Sequence, residues 1–312
     1  MKTAVVLVNL GGPDSLENVK PFLFNLFSDP DIFKLPFGKK GQEIFAKFIS
    51  GRRAQKSSNL YAKIGGKSPL QENTADQAVA LQRLLRKEDN FFVFTAQRYW
   101  HPLIPEVIGT LRPEKWDEII LLPLFPQYSN TTTLSVINEW VRHGDTLPAP
   151  HIVQRFHTHP LYIQSSQKRI SEKLADNENP HILFSAHSIP QSRVNQGDPY
   201  QQEIEETVEL IMEGFHGYGH SLCYQSKVGP LKWLEPSISS ELKTLKNRGI
   251  TNILVTPVGF VSEHLETLYE LDIQYKKYAL DLGIEKYERV QTLGIQPLFI
   301  ECLKELVMEN CQ

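Results

Sequence analysis

The chain has 312 residues, 41% apolar and 22% charged, an ordinary balance for a globular protein with room for one large or two medium domains. A formal charge of −3 argues against a general role on nucleic acid, and no apolar run reaches the ~20 residues that a membrane span needs. Its three cysteines, Cys223, Cys302 and Cys311, lack the paired spacing of a zinc or iron–sulfur site, and their odd number speaks for a reducing cytoplasm rather than a disulfide framework. The opening MKTAVVLVNLGG is too short for a signal peptide and runs straight into a strand pattern.

In chain order, strand patterns fall at 3–10 (TAVVLVNL), 91–99, 118–125, 151–156, 181–188 (HILFSAHS), 220–226, 252–260 (NILVTPVGF) and 287–293. Amphipathic helix patterns fill most of the intervals, at 73–87, 103–112, 131–143, 160–176, 200–214, 237–247 and 264–280, with a last helix at 297–309. This alternation predicts α/β architecture: two similar Rossmann-like halves, each a parallel sheet flanked by helices. GDTLPAP and FHTHP punctuate the pattern near 145–160, so the halves are placed at 1–158 and 159–295. Residues 296–312 form a helix expected to return to the first half.

Ligands of open α/β sheets bind beyond the carboxyl ends of the strands. VNLGGPDS follows the first strand, but it lacks the G-x-G-x-x-G spacing and the P-loop lysine, and Pro13 removes a backbone donor. It reads as a tight strand-to-helix turn. HTH at 157–159 has no third ligand near it and reads as surface. FSAHSIP (184–190) puts His187 at a strand end, poorly placed for core packing and well placed to accept a proton or a metal. Residues 21–37 carry an apolar density that fits either a core helix with a buried loop or a greasy lip for an apolar ligand or membrane. The basic stretch 49–69, with Arg52, Arg53, Lys56, Lys63 and Lys67, is either a solvated face or a grip for carboxylates.

SEHLETLYELD (262–272) is the sharpest signal. On a helix, Glu263, Glu266 and Glu270 share one stripe at i, i+3, i+7, beside an apolar stripe of Leu265, Leu268, Tyr269 and Ile273. Like charges so spaced repel by roughly 0.2–0.5 kcal/mol per pair. A first-turn dipole role explains Glu263 and Glu266 but not Glu270 or His264. Together, the lip, the arginines, His187 and the acidic row suit a large, flat, apolar molecule with carboxylate arms, and chemistry of protons and a divalent metal.

Beside those residues, NLGGPDS, LFSDPDIFKLP, RRAQKSSNLYAKIGGKSP, QRYWHP, FPQYSNTTT, LFSAHSIP, RVNQGDPY, YQSKVGPLKWLEPS and SEHLETLYELD run in one order along nearly the whole chain. The set resembles the ferrochelatases, which insert ferrous iron into a porphyrin at the end of haem synthesis. The resemblance implies a porphyrin cleft between the halves. It implies that His187 and Glu266 are the facing catalytic and metal-binding pair, with His264 beside them, and that Glu263 and Glu270 extend a path for protons or metal. It further implies a π-type distortion in the acidic helix, Trp233 packed on the macrocycle, and Leu10, Arg53, Tyr61, Ser68, Arg98 and Phe125 lining the pocket, some as propionate contacts.

The expected substrates are ferrous iron and protoporphyrin IX, with coproporphyrin III as the alternative. Leu10, where coproporphyrin-using relatives tend to carry tyrosine, tilts the balance. Gln274 replaces the next acid of the row. Asn130 stands at the internal cluster cysteine of animal members, so no iron–sulfur cluster and no resident cofactor are expected. The expected setting is cytoplasmic, with peripheral membrane contact through 21–37 and contact with the oxidase that precedes this step. Three rivals are a chelatase for a more carboxylated tetrapyrrole, which the greasy segment disfavours, a non-catalytic tetrapyrrole carrier, and a plain Rossmann-type nucleotide enzyme, which the missing glycine fingerprint disfavours.

Overall fold

Thr3–Asn9 is buried along its whole length, as a strand must be when helices cover both faces of its sheet. The computed structural model describes residues 1–33, 38–88, 90–227 and 229–311. The chain divides into two units, Met1–Arg155 with Ile300–Gln312, and Phe156–Phe299.

The first unit runs β1 (Thr3–Asn9), α1 (Val19–Ser28), α2 (Gly38–Ala62), α3 (Leu70–Leu85), β2 (Phe91–Gln97), α4 (Ile104–Leu111), β3 (Glu118–Pro123), α5 (Thr133–His143) and β4 (His151–Ile152). Its sheet has the order β2-β1-β3-β4 and is parallel throughout. Val6, Val8, Ile119 and Leu121 meet Ile104, Ile108 and Trp140 in the core on one face.

The second unit runs α6 (Pro160–Leu174), β5 (His181–His187), α7 (Gln191–Asn195), α8 (Tyr200–Met212), β6 (His220–Gln225), α9 (Ile238–Asn247), β7 (Asn252–Pro257), a π-helix (Glu266–Tyr275), α10 (Lys276–Asp281) and β8 (Lys286–Arg289). Its order, β6-β5-β7-β8, repeats that of the first unit, again all parallel. The final helix, α11 (Pro297–Glu309), belongs to the first unit from Ile300 on. There Lys304 pairs with Glu88 at 3.2 Å, and the Cys311 thiol donates to Glu118 at 3.1 Å.

All eight expected strands form. The fourth is cut to two residues, His151–Ile152 rather than 151–156, and the last ends at Arg289 rather than 293. Two helices escaped the periodicity. The basic stretch 49–69 begins inside α2, whose buried positions are Gln42, Ala46, Ser50 and Tyr61, too small or polar to show an apolar stripe. Helix α7 has no buried residue at all.

The 21–37 segment divides. Phe22, Leu23 and Phe27 are core residues of α1, and Phe33 packs on Phe27 and Phe45. Residues 34–37 lie outside the described chain. The large exposed apolar side chains nearby are Ile44 and Phe48 of α2, 72% and 66% exposed.

Candidate active site

In the first unit, the rim of β1 is assembled by close backbone approach. Gly11 has φ +83°, a conformation that glycine adopts without strain. A Cβ on Gly12 would lie 2.5 Å from both Cβ and Oγ of Ser68, so only glycine lets the Ser68 loop close on this turn. The Ser68 amide donates to the Pro13 carbonyl at 2.7 Å. Buried Tyr61 has its hydroxyl 3.9 Å from the same point. Leu10 is half-buried against the core cluster that contains Phe125. Leu10, Tyr61, Ser68 and Phe125 therefore all sit at or near the strand ends of one sheet.

The two arginines differ. The Arg53 guanidinium stacks 5.7 Å from the Phe27 ring, and burial draws its pKa down. Arg98 does not fit the expected propionate contact. It is only 8% exposed; its Nη2 lies 3.0 Å from Asp29 Oδ2 and 3.4 Å from Glu139, and its Nε donates to Ser135 Oγ at 2.7 Å. Asp29 also accepts from the Tyr99 hydroxyl at 2.7 Å. The guanidinium is already matched by buried acceptors, so the structure makes Arg98 the centre of an internal network.

In the second unit, His187 is the last residue of β5. Its Nδ1 lies 2.6 Å from the Ser188 carbonyl and donates to it, which turns Nε2 toward Glu266 Oε1 at 3.4 Å. The other oxygen of Glu266 faces His264 Nε2 at 3.1 Å, and Phe260 packs on the His264 ring with centroids 4.7 Å apart. One turn on, Glu270 Oε2 accepts from Ser226 Oγ at 2.6 Å and from Gln225 Nε2 at 3.2 Å. Ser226 holds φ +66°, an unusual conformation for a residue with a side chain, and such outliers gather at functional sites. Gln225 is fully aligned: Ser185 Oγ donates to its Oε1 at 2.7 Å, so its amide NH₂ must face Glu270 and the Glu266 carbonyl. Trp233 bridges to Pro190, just past His187.

The π winding revises the expected stripes. Hydrogen bonds from i to i+5 place more than four residues in each turn, so like faces recur at every fourth position. Glu266, Glu270 and Gln274 form one row. Thr267 and Leu271 are the buried positions, with Tyr275 packed against the same core. The expected apolar stripe fails at Ile273, which is 40% exposed.

Glu263 leaves the acidic row altogether, because the helix begins after it. Its Oε1 accepts from Arg289 Nη1 at 2.9 Å and from the Thr292 amide at 3.0 Å, and its Oε2 accepts from Thr267 Oγ1 at 2.5 Å. Arg289 also grips Asp272 with two bonds of 2.7 Å. Arg289 did not stand out in the sequence, and Asp272 closed the SEHLETLYELD stretch without a role of its own. The one available signal was a lone arginine at the carboxyl end of a strand.

Charge follows geometry. Burial acts to lower the His187 imidazole, but the Glu266 charge, its hydrogen bond, Glu270 and the Ser188 carbonyl outweigh it and raise the pKa to about 9. His187, expected to accept a proton or a metal, thus forms an imidazolium–carboxylate pair with Glu266 at neutral pH. Burial acts to raise Glu266, but the His187 charge and the two histidine hydrogen bonds hold it well below the usual carboxylate range. Glu270 is raised, by burial and then by the Glu266 charge. Among the described residues no group of three His, Cys, Asp or Glu side chains is gathered closely enough to cage a metal. The arrangement can move protons along His187, Glu266 and Glu270, and the imidazole and carboxylate of His187 and Glu266, 3.4 Å apart, offer a cation two ligands.

A family model described as Ferrochelatase matches residues 2–311. A ferrochelatase of Aquifex aeolicus (strain VF5) is 49% identical over 98% of this chain and 99% of its own. One of Sulfurihydrogenibium sp. (strain YO3AOP1) is 45% identical over 99% and 98%. Among solved structures, SirB from Bacillus subtilis with Fe3+ superposes with a TM-score of 0.58 at 12% identity, over 99% of this chain and 96% of that one. CbiX, the terminal enzyme of sirohaem biosynthesis in denitrifying bacteria, gives 0.55 at 14% over the whole of both chains. At such identities the structural likeness concerns the fold alone.

Proposed function

Because this chain belongs to the ferrochelatase family, which inserts iron into a porphyrin in haem synthesis, we propose that His187 and Glu266 carry the exchange, with protoporphyrin IX as the porphyrin. The reaction removes two pyrrole N–H protons and leaves one ferrous ion in their place. The observation that carries the reading is the row His187, Glu266, Glu270, in which a charged pair stands next to a carboxylate whose pKa is raised by burial and by the Glu266 charge.

An imidazolium cannot accept a pyrrole proton. A divalent cation arriving at Glu266 weakens the attraction that keeps His187 charged, because a bound ion inverts the local proton affinities. His187 then releases its proton along Glu266 and Glu270 and becomes a neutral base for the porphyrin. His264 steadies the second oxygen of Glu266. Arg53, a partly desolvated cation beside Phe27, is suited to a propionate. Trp233 offers an aromatic face, while Leu10, Tyr61, Ser68 and Phe125 supply an apolar wall with a polar edge. No resident cofactor enters this scheme.

The test is an anaerobic absorbance assay with ferrous iron and protoporphyrin IX, with coproporphyrin III in parallel. Conversion of protoporphyrin that is lost in His187→Ala and Glu266→Gln supports the reading. Conversion of coproporphyrin alone overturns the role given to Leu10. Tight porphyrin binding without metal insertion overturns the assignment of residues.

No helix among the described residues is long and apolar enough to cross a membrane. For an apolar substrate, exposed Ile44 and Phe48 of α2, rather than the core residues of α1, are suited to a peripheral membrane contact of a cytoplasmic protein and to a face toward the preceding oxidase. Failure of the porphyrin-loaded protein to sediment with anionic liposomes would remove this part of the reading.

A further inference from the structure

We propose that Arg289 is a positioning residue, which holds the acidic helix in its wide π winding by gripping Glu263 and Asp272 at once. The inference rests on the assignment of His187 and Glu266 to the chemistry, and it concerns how Glu266 is kept in place.

The π-helix spans ten residues, whereas π geometry is rare and mostly confined to single turns. Something outside the helix must favour it over the α form. The guanidinium of Arg289 does so by its shape. Nε and Nη2 donate to the two oxygens of Asp272, each at 2.7 Å, and Nη1 donates to Glu263 at 2.9 Å. Nη1 also donates to the Val290 carbonyl at 3.1 Å, which ties the fork to the end of β8. The arginine side chain is only 7% exposed. Burial acts to lower its pKa, but the two carboxylates outweigh that and raise it further, so the cation is permanent.

Glu263 lies just before the helix and is tied to its first turn through Thr267, whereas Asp272 lies within it. An α-helix turns by roughly 100° per residue, and a winding with more than four residues per turn by less than about 90°. Over the six positions from Glu266 to Asp272 (272 − 266) the two windings therefore differ by roughly 60° or more. One planar guanidinium bound to the entry of the helix and to Asp272 at once fixes that rotation, and here it fixes it at the wide winding. Rewinding as α would break one arm of the grip and leave a buried charge short of a partner, a change that is strongly unfavourable. It would also rotate Glu266 and Glu270 relative to His187 at the end of β5. Lysine cannot replace the fork, because it presents a point charge.

The experiment compares Arg289→Lys and Asp272→Asn with the parent enzyme, with His187→Ala alongside. It measures kcat, KM for the porphyrin, and amide hydrogen exchange along the helix. The expected result is a kcat at least about tenfold lower for Arg289→Lys, a smaller loss for Asp272→Asn, and porphyrin KM within about twofold of the parent. Amides of Thr267–Tyr275 should exchange faster while those of β7 keep their protection. A lowered melting temperature with kcat within twofold of the parent would mean an ordinary structural ion pair and overturn the proposal, as would a rise in KM alone. Should Arg289→Lys fail to fold, Asp272→Asn decides. Full activity in His187→Ala would instead remove the underlying assignment of the chemistry.

Discussion

The two sheets are built alike, yet the charges at their rims are used in opposite ways. Around Arg98, in the first unit, one guanidinium meets Asp29, Ser135 and Glu139 in a closed network, and Tyr99 completes the coordination of Asp29. Around Glu266, in the second, one carboxylate faces two histidines, and a second carboxylate waits behind it with a raised pKa. Side-chain exposure marks the same contrast: 8% for Arg98 against 36% for His187. A charge matched by buried partners stabilises one conformation. A charge that is incompletely matched and open to solvent can change its protonation state.

The comparison can be broken most directly at the open cluster. His187→Ala and Glu266→Gln should each lower kcat by roughly 10²- to 10⁴-fold, the usual contribution of a positioned acid or base, both at neutral pH, where the melting temperature falls with the lost pair, and near pH 9, where the pair adds less stability; a kcat loss that only tracked the loss of stability would erase the distinction. The closed cluster should respond the other way. Arg98→Ala leaves Asp29 buried and unmatched and should cost about 3–5 kcal/mol of unfolding free energy, read by urea denaturation, while porphyrin KM in the folded fraction stays near that of the parent.

Arg53 sharpens the contrast within the first unit. Loss of one charge-assisted hydrogen bond corresponds to about 1.5–3 kcal/mol, so Arg53→Ala should raise porphyrin KM by about tenfold or more. Its unfolding free energy should move by less than about 0.5 kcal/mol. An unchanged KM would separate Arg53 from the propionates.

pH offers a subtler probe. The folded pKa of His187 is raised from 6.5 to about 9, so its contribution to stability is complete below 6.5 and fades as pH climbs through 9. Glu266 is lowered from 4.5, so its contribution is complete above 4.5 and is lost only in acid. Unfolding free energy should therefore decline between pH 6.5 and 9 in the parent, and this step should vanish in Glu266→Gln. A His187 resonance that titrates near 6.5 in the parent would contradict the pairing. The smallest effect belongs to Glu270→Gln, which removes a like charge beside Glu266. It should raise the melting temperature slightly at neutral pH and reduce kcat only a few-fold.

Sequence alone placed all eight strands, the strand-end position of His187 and the row of Glu266 and Glu270 on one helix, because apolar periodicity and strand-end position are local properties. Helix α2 was illegible, since its buried face is made of Gln42, Ala46 and Ser50 rather than large apolar residues. Arg98 and Glu263 were read as a group lining the cleft and a step of the acidic path, and nothing local announced that Asp29 and Glu139 meet the one and Arg289 and Thr292 the other. A motif records which charge is present and not which neighbour has already neutralised it.

What the sequence determined by itself was the α/β alternation, the two similar halves and the residue types gathered at their strand ends, because hydrophobic burial acts on patterns a few residues long. The π winding of the acidic helix, implied by the family resemblance, is present, and the tertiary structure decided the division of its charges. Glu263 and Asp272 went to Arg289, while Glu266 and Glu270 were left to His187, His264, Gln225 and Ser226. That division depends on contacts between β5, β6, β8 and the helix, brought together from distant parts of the chain, and the electrostatic energy of a carboxylate is set by the charge that finally lies within a few ångströms of it.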